Sequence, residues 1–436
     1  MIRRFKIITL GCKVNQYETA SLQEKLTSKN WQYTENSADA DLIIINTCIV
    51  TQRASYQSRQ AIRKAIRESP SARIAVVGCY PQVFPEELSK IDGINILAGN
   101  DNKLKVPDML KSLDLPPVLN SDEYDIPDRQ PFDAIPVKRF MSRTRAFLKI
   151  QDGCDSYCSY CIVPYARGPL KSMVPETVIS STEIFEKQGY KEIVLTGIHL
   201  GKYGKDLTGK SELAPVLMKI GRQNPSYRIR LSSLEPGEIS DELIEMAAGA
   251  SWLCRHFHVP LQSGDKDTLK KMNRRYTPSE FKETILKIHK KIPDAAIGVD
   301  VIAGFPGEDD HSFDNTYSLL DELPISYLHV FPFSPRKGTP AAGYPDQVDT
   351  KTIKKRAAKL RELGRQKKSL FYMSFVGKEF SILTEGWESE EEKIIKGLSD
   401  NYLRVFLKSD TQLKNEILMI TAEKHKKDHL LGKIKD

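Results

Sequence analysis

Long hydrophobic runs are missing from this chain. Apolar stretches such as LIII (42–45) and IAVV (74–77) stop at strand length, far short of the roughly eighteen residues a membrane helix needs. A secretory leader is not expected either. Arg3, Arg4 and Lys6 imitate the start of one, but the IITL stretch behind them ends at Gly11, so the expected compartment is the cytoplasm. Cysteines do not come in an even set: there are seven, which in a cytosolic chain argues against a disulfide framework and for metal or redox chemistry. Neither a 20–50-residue repeat nor a low-complexity tract is present, which removes solenoids and arrays.

What remains is a globular composition, 40% hydrophobic and 28% charged over 436 residues, with a length prior of about three domains. The net charge of +8 is unevenly spread. Residues 1–350 carry 45 basic against 44 acidic side chains, whereas 351–368 alone carry nine basic and one acidic. Such a segment suits a polyanionic partner, or else a solvated helix face. Its apolar positions Ile353, Ala357, Leu360, Gly364 and Phe371 form an approximate helical stripe. Lys354, Lys355, Arg356 and Lys359 fall on the other faces as candidate RNA contacts.

The periodicity predicts an α/β multidomain protein. Apolar, β-branched runs at 4–10, 41–46 and 73–78 alternate with helical patterns at 15–29 and 52–68, as in a small parallel α/β domain spanning 1–99. Proline and charge over 100–145 read as a linker. Six further strand patterns, at 146–150, 192–197, 228–233, 256–261, 297–304 and 327–331, alternate with helices and predict a partial (β/α)6 barrel over 146–350. After a connecting helix at 351–372, short alternating strands over 373–436 predict a small antiparallel β-barrel.

The cysteines carry the chemistry. Cys154, Cys158 and Cys161 stand in DGCDSYCSYCIVPYARG (152–168), directly behind the first barrel strand. Three thiolates on one loop can hold three irons of a cubane and leave the fourth open. Zinc is the structural alternative, but it ordinarily takes four protein ligands, and no fourth cysteine lies nearby. This triplet, with Tyr160 before its third cysteine and a barrel behind it, resembles the radical S-adenosylmethionine (SAM) enzymes. The resemblance implies that SAM chelates the open iron and is cleaved reductively to a 5′-deoxyadenosyl radical. It also implies SAM contacts from Tyr160, from Gly197 in TGIHLG (196–201), from Gln262 in HVPLQSG (258–264) and from Gly304 in GVDVIAGFPGE (298–308). TGIHLG departs from the superfamily pattern in lacking Gly-Gly-Glu.

Cys12, Cys48 and Cys79 are spaced by 36 and 31 residues, about one βα unit each, and each follows a predicted strand. Singly, each would read as a small hydrophobe. Together, in equivalent positions, they are candidate ligands where open α/β sheets gather their ligands. The combination resembles the methylthiotransferases, in which a second three-cysteine cluster precedes a radical SAM barrel and a terminal barrel called TRAM. LGCKVNQYET (10–19), DLIIINTCIVT (41–51) and VVGCYPQ (77–83) look like the subgroup that methylthiolates N6-threonylcarbamoyladenosine in tRNA. The resemblance implies two [4Fe-4S] clusters, SAM, a tRNA substrate, a reductant such as flavodoxin or ferredoxin, and sulfide or another sulfur donor. Its alternatives are isopentenyladenosine tRNA or a ribosomal-protein aspartate as substrate. A non-catalytic metal-binding RNA-binding protein is the alternative from another class. No general acid or base is assigned. Cys254 has no partner at ligand spacing and reads as core, and His256 and His258, which share a strand face, read as structural.

Overall fold

A computed structural model describes residues 3–110, 132, 137, 140, 143–207 and 212–435. The chain folds as two compact units whose residues are not contiguous: 1–141 with 151–173 and 334–342, and 142–150 with 174–333 and 343–436.

The first unit is built on five parallel strands, β1 (Arg4–Thr9), β2 (Gln32–Tyr33), β3 (Leu42–Thr47), β4 (Arg73–Gly78) and β5 (Ile96–Ala98), in the order β2-β1-β3-β4-β5. Every residue of β3 is buried. Its side chains alternate between the two faces, Ile43 and Ile45 entering one core cluster and Leu42 and Ile44 the other. The helix Gln52–Glu68 covers the first face through Ile62 and Ala65, and the helix Lys13–Thr27 covers the second through Leu22 and Leu26. Residues 100–110, read from sequence as the start of a linker, pack here instead, with Val106 and Leu110 in the second cluster. Most of the rest of that segment, 111–145, lies outside the described residues.

The second unit opens with six parallel strands, β6 (Ala146–Lys149), β7 (Glu192–Thr196), β8 (Arg228–Leu231), β9 (His256–His258), β10 (Ala296–Ala303) and β11 (Tyr327–Pro332). They pair as β8-β7-β6 and β9-β10-β11, and a parallel bridge between Ile229 and Leu253 joins the two sets. Helices return the chain between strands, as predicted for a partial barrel. The helix Thr350–Met373 then leads to β12 (Glu379–Ser389), β13 (Ile394–Ser399), β14 (Arg404–Lys408), β15 (Lys414–Lys426) and β16 (His429–Ile434), which close into a barrel in the order β12-β13-β14-β16-β15. β16 pairs in parallel with β14 and antiparallel with β15; the sequence pattern had not marked this strand.

Glu192 fastens the two barrels of this unit. Its carboxylate, fully buried, accepts from Arg228 Nε at 2.7 Å and Arg230 Nε at 2.8 Å. Both guanidinium groups donate onward to the end of β13 and the residue after it, Arg228 to the Leu398 carbonyl and Arg230 to those of Ser399 and Asp400. Burial alone would raise the Glu192 carboxyl, but Arg230 and Arg228 overcome it and hold the group well below the usual carboxylate range. Among the described residues no helix is long and apolar enough to cross a membrane.

Candidate metal centres

Strand register assembles the first triplet. Thr9 pairs with Asn46, Asn46 with Val77, and Thr47 with Gly78, so β1, β3 and β4 end level and release Cys12, Cys48 and Cys79 along one edge. Two glycines make the exits possible. Gly11 and Gly78 have φ of +96° and +97°, a region costly for any residue with a Cβ. A Cβ on Gly11 would also sit 2.6 Å from Cys48 Cβ and 2.9 Å from its Sγ. Asn15 secures the edge by donating to the carbonyls of Leu10 (2.7 Å) and Thr47 (3.0 Å). Cys48 and Cys79 are buried while Cys12 is exposed at the start of the helix Lys13–Thr27. Burial, and then the charge of Cys79, push the Cys48 thiol up to about 11. A neutral thiol is therefore the resting form there, and a bound cation would take the place of its proton.

The second triplet occupies a loop of the same unit. The short pair Gln151–Asp152 and Lys171–Ser172 closes its base, and the Cys154 N–H donates to the Gly168 carbonyl at 3.0 Å. Gly153, at φ +71°, has no room for a Cβ, which would collide with the Pro169 carbonyl oxygen. Cys158 is buried, and Cys154, Cys161 and Tyr160 are half-buried. Behind the loop, Ile162 and Ala166 join Cys79, Tyr80 and Ile45 in one hydrophobic cluster. Each triplet offers three sulfurs, the donor set of an iron–sulfur cluster with one open iron.

Two family models match the chain: uncharacterized protein family UPF0004 over residues 4–99 and the radical SAM superfamily over residues 148–320. The threonylcarbamoyladenosine tRNA methylthiotransferase MtaB of Bacillus subtilis is 38% identical over 415 residues, covering 94% of this chain and 92% of that protein. The chain belongs to the tRNA methylthiotransferases. A tRNA-2-methylthio-N(6)-dimethylallyladenosine synthase of Dictyoglomus thermophilum is 34% identical over 435 residues, 99% of this chain and 98% of its own. Among solved structures, the radical SAM methyltransferase TsrM from Kitasatospora setae shares the fold, with a TM-score of 0.57 at 15% identity over 78% of this chain and 77% of that one. As a member of this family, the methylthiotransferase uses SAM and [4Fe-4S] clusters and acts on tRNA.

In the second unit, Gly197, Gln262 and Gly304 all lie beyond the carboxyl ends of barrel strands. Gly197 follows β7 directly. Gln262, at φ +65°, bridges to Val301, and its N–H donates to the Asp300 carbonyl at 2.9 Å. Gly304, at φ +80°, follows β10 and donates to Glu308 Oε1 at 2.9 Å. In place of the missing Gly-Gly-Glu, the segment after β7 brings His199 to Glu238 at 2.6 Å. His256 and His258 have structural partners. His258 sits between Ser233 (2.6 Å) and Asp300 (2.9 Å), and His256 reaches the Tyr327 hydroxyl at 2.8 Å and stacks on Tyr402. Cys254 is core, its thiol pushed up to about 12 by burial.

One expected RNA contact is corrected. Arg356 is buried, donating to Glu308 Oε1 at 3.0 Å and Asp310 Oδ1 at 2.7 Å. It follows the buried turn made by Ala357 and Leu360 rather than the solvent face. Lys354, Lys355 and Lys359 are exposed. Sequence reading also missed a polar group around the first triplet: buried Asn15, Glu18, Lys103 and Arg167, with half-buried Asn100 and Asp152. The available signal was Asn15 and Glu18, polar at helix positions that face the sheet, three and six residues after Cys12.

Proposed function

We propose that this methylthiotransferase places a methylthio group on C2 of N6-threonylcarbamoyladenosine, at the tRNA position next to the anticodon. The observation that carries the reading is a single compact unit holding six cysteines as two triplets, on a chain alignable with MtaB over 94% of its length. In this reading Cys154, Cys158 and Cys161 hold one four-iron cluster and leave a corner for the amino and carboxylate groups of SAM. Cys12, Cys48 and Cys79 hold the other, where the methylthio sulfur is handled. Bound on the 154–161 loop, such a cluster supplies the electron for reductive cleavage of SAM.

The protein's own part is positioning. Gly153 and the Cys154–Gly168 hydrogen bond fix the loop, and Tyr160 offers a planar face for the adenine. Gly197, Gln262 and Gly304 lie past strand ends, where this reading places contacts to SAM. Exposed Lys354, Lys355 and Lys359 meet tRNA phosphates. A one-electron donor such as flavodoxin or ferredoxin, and sulfide or another sulfur donor, complete the reaction, and cysteines that form no disulfide suit the reducing cytosol.

Mass spectrometry of tRNA nucleosides from cells lacking the gene tests this. Loss of the 2-methylthio-N6-threonylcarbamoyl nucleoside alone is the expected result. Loss of the 2-methylthio-dimethylallyl nucleoside instead would assign the substrate named for the Dictyoglomus relative.

A further inference from the structure

We infer that Arg167 is a positioning residue that sets the charge around Cys12, Cys48 and Cys79, and with it the reduction potential of the cluster those thiols hold. The inference rests on the reading that this triplet carries a cluster. Arg167 comes from the other triplet's chain, six residues after Cys161, at the end of the short helix Val163–Arg167. Its guanidinium is almost completely buried and forked. Nη1 donates to Glu18 Oε1 (2.9 Å) and Asp152 Oδ1 (3.1 Å), and Nη2 donates to Asn15 Oδ1 (2.6 Å). The same Asn15 oxygen lies 3.8 Å from Cys12 Sγ. Asn100 closes the other side, donating to Cys79 Sγ at 3.5 Å and to the Ala166 carbonyl at 2.6 Å. Lys103 completes the group through Glu18 (2.5 Å) and Asn100 (2.8 Å).

Two cations thus face two carboxylates, and the network is formally neutral without the thiols. A buried ionic group of this kind adds little stability compared with apolar packing, so its place beside two thiols calls for another role. Arginine stays charged at any working pH, so Arg167 is a fixed positive charge rather than a switch. Reducing a cluster adds negative charge, and hydrogen bonding and net charge around the sulfurs set its potential. Arg167 therefore favours the reduced form, and Glu18 opposes it.

The test is an EPR-monitored redox titration of the full chain carrying Cys154→Ala, Cys158→Ala and Cys161→Ala, in which only the first triplet's cluster is read. In that background Arg167→Gln is expected to shift the oxidised-to-reduced ratio at a fixed potential about tenfold toward oxidised, ~59 mV for a one-electron couple. Glu18→Gln is expected to shift it the other way, while Arg167→Lys, which keeps the charge, stays near the parent. Full iron with unchanged potentials in Arg167→Gln and Glu18→Gln would overturn the inference. If Arg167→Gln loads no iron, Glu18→Gln, which keeps both cations and a hydrogen-bonding side chain, decides alone: a raised potential supports the role and an unchanged one ends it. A parent without iron would instead refute the first-triplet cluster itself.

Discussion

The loop at 154–161 places three thiols within eight residues, whereas Cys12, Cys48 and Cys79 meet only because β1, β3 and β4 end level in one sheet. The first arrangement is local. It needs a closed loop base and one glycine without room for a Cβ. The second is a property of the whole sheet, requiring parallel register, two left-handed glycines and an asparagine that ties two strand ends together. The same three-sulfur donor set can therefore come from spacing or from topology. The topological version is surrounded by buried charge, Glu18 and Lys103, to which the segment of the local version adds Arg167. The two triplets are adjacent parts of one unit and differ in how each depends on the fold.

The largest expected effects separate the two triplets by function. Replacing Cys154, Cys158 and Cys161 with alanine should leave about four irons of about eight and abolish SAM cleavage. Replacing Cys12, Cys48 and Cys79 should spare cleavage and stop methylthiolation. Iron assays, with chromatography of 5′-deoxyadenosine and of modified tRNA nucleosides, read all three quantities. Methylthio product from the second variant would break the division of labour.

A control from the other unit comes next. Glu192→Gln leaves two buried guanidinium groups without their carboxylate and should cost about 3–5 kcal/mol in urea unfolding, with both clusters still loaded in the folded fraction. The carboxyl is held below its ordinary range in the folded protein. Its contribution is therefore present above about pH 4.5 and lost as pH falls further. Wild type should lose stability through that window more steeply than Glu192→Gln; parallel pH curves would show that Glu192 is not the group responsible.

Smaller effects distinguish the two ways of building a site. Gly11→Ala and Gly153→Ala should each cost about 1–3 kcal/mol in backbone strain and crowding. Each should deplete only the cluster beside it, which Mössbauer spectroscopy of the two single-triplet backgrounds can resolve. Depletion of both clusters by either variant would mean that the triplets are built jointly. The smallest expected effect lies outside both triplets. Changing Lys354, Lys355 and Lys359 to glutamine should flatten the slope of log affinity for tRNA against log salt by roughly 0.7–0.9 for each phosphate no longer neutralised. SAM cleavage without tRNA should be unaffected. A wild-type slope would return these lysines to an ordinary solvated face.

Much of this was legible in the residues themselves, because it depends on short-range pattern. The Cys154–Cys158–Cys161 spacing, the buried run of β3 and the six barrel strands follow from periodicity and spacing within a few residues. The gathering of Cys12, Cys48 and Cys79 could be anticipated from their equivalent strand ends, because parallel sheets collect ligands there. What the sequence could not decide was the inward or outward turn of single charged side chains. Arg356 lies in a segment with nine basic residues among eighteen and reads as solvent-facing, yet Glu308 and Asp310, more than forty positions earlier, draw it into the protein. Arg167 sits in an ordinary IVPYARG string, and only packing brings it against Glu18 and Asn15, about 150 residues away. The split of the chain also came from packing, which joins the loop 151–173 to the amino-terminal sheet across a break in sequence. Periodicity records which face of an element avoids water. The partner of a buried charge is fixed by distant chain segments, so only the tertiary structure decides it.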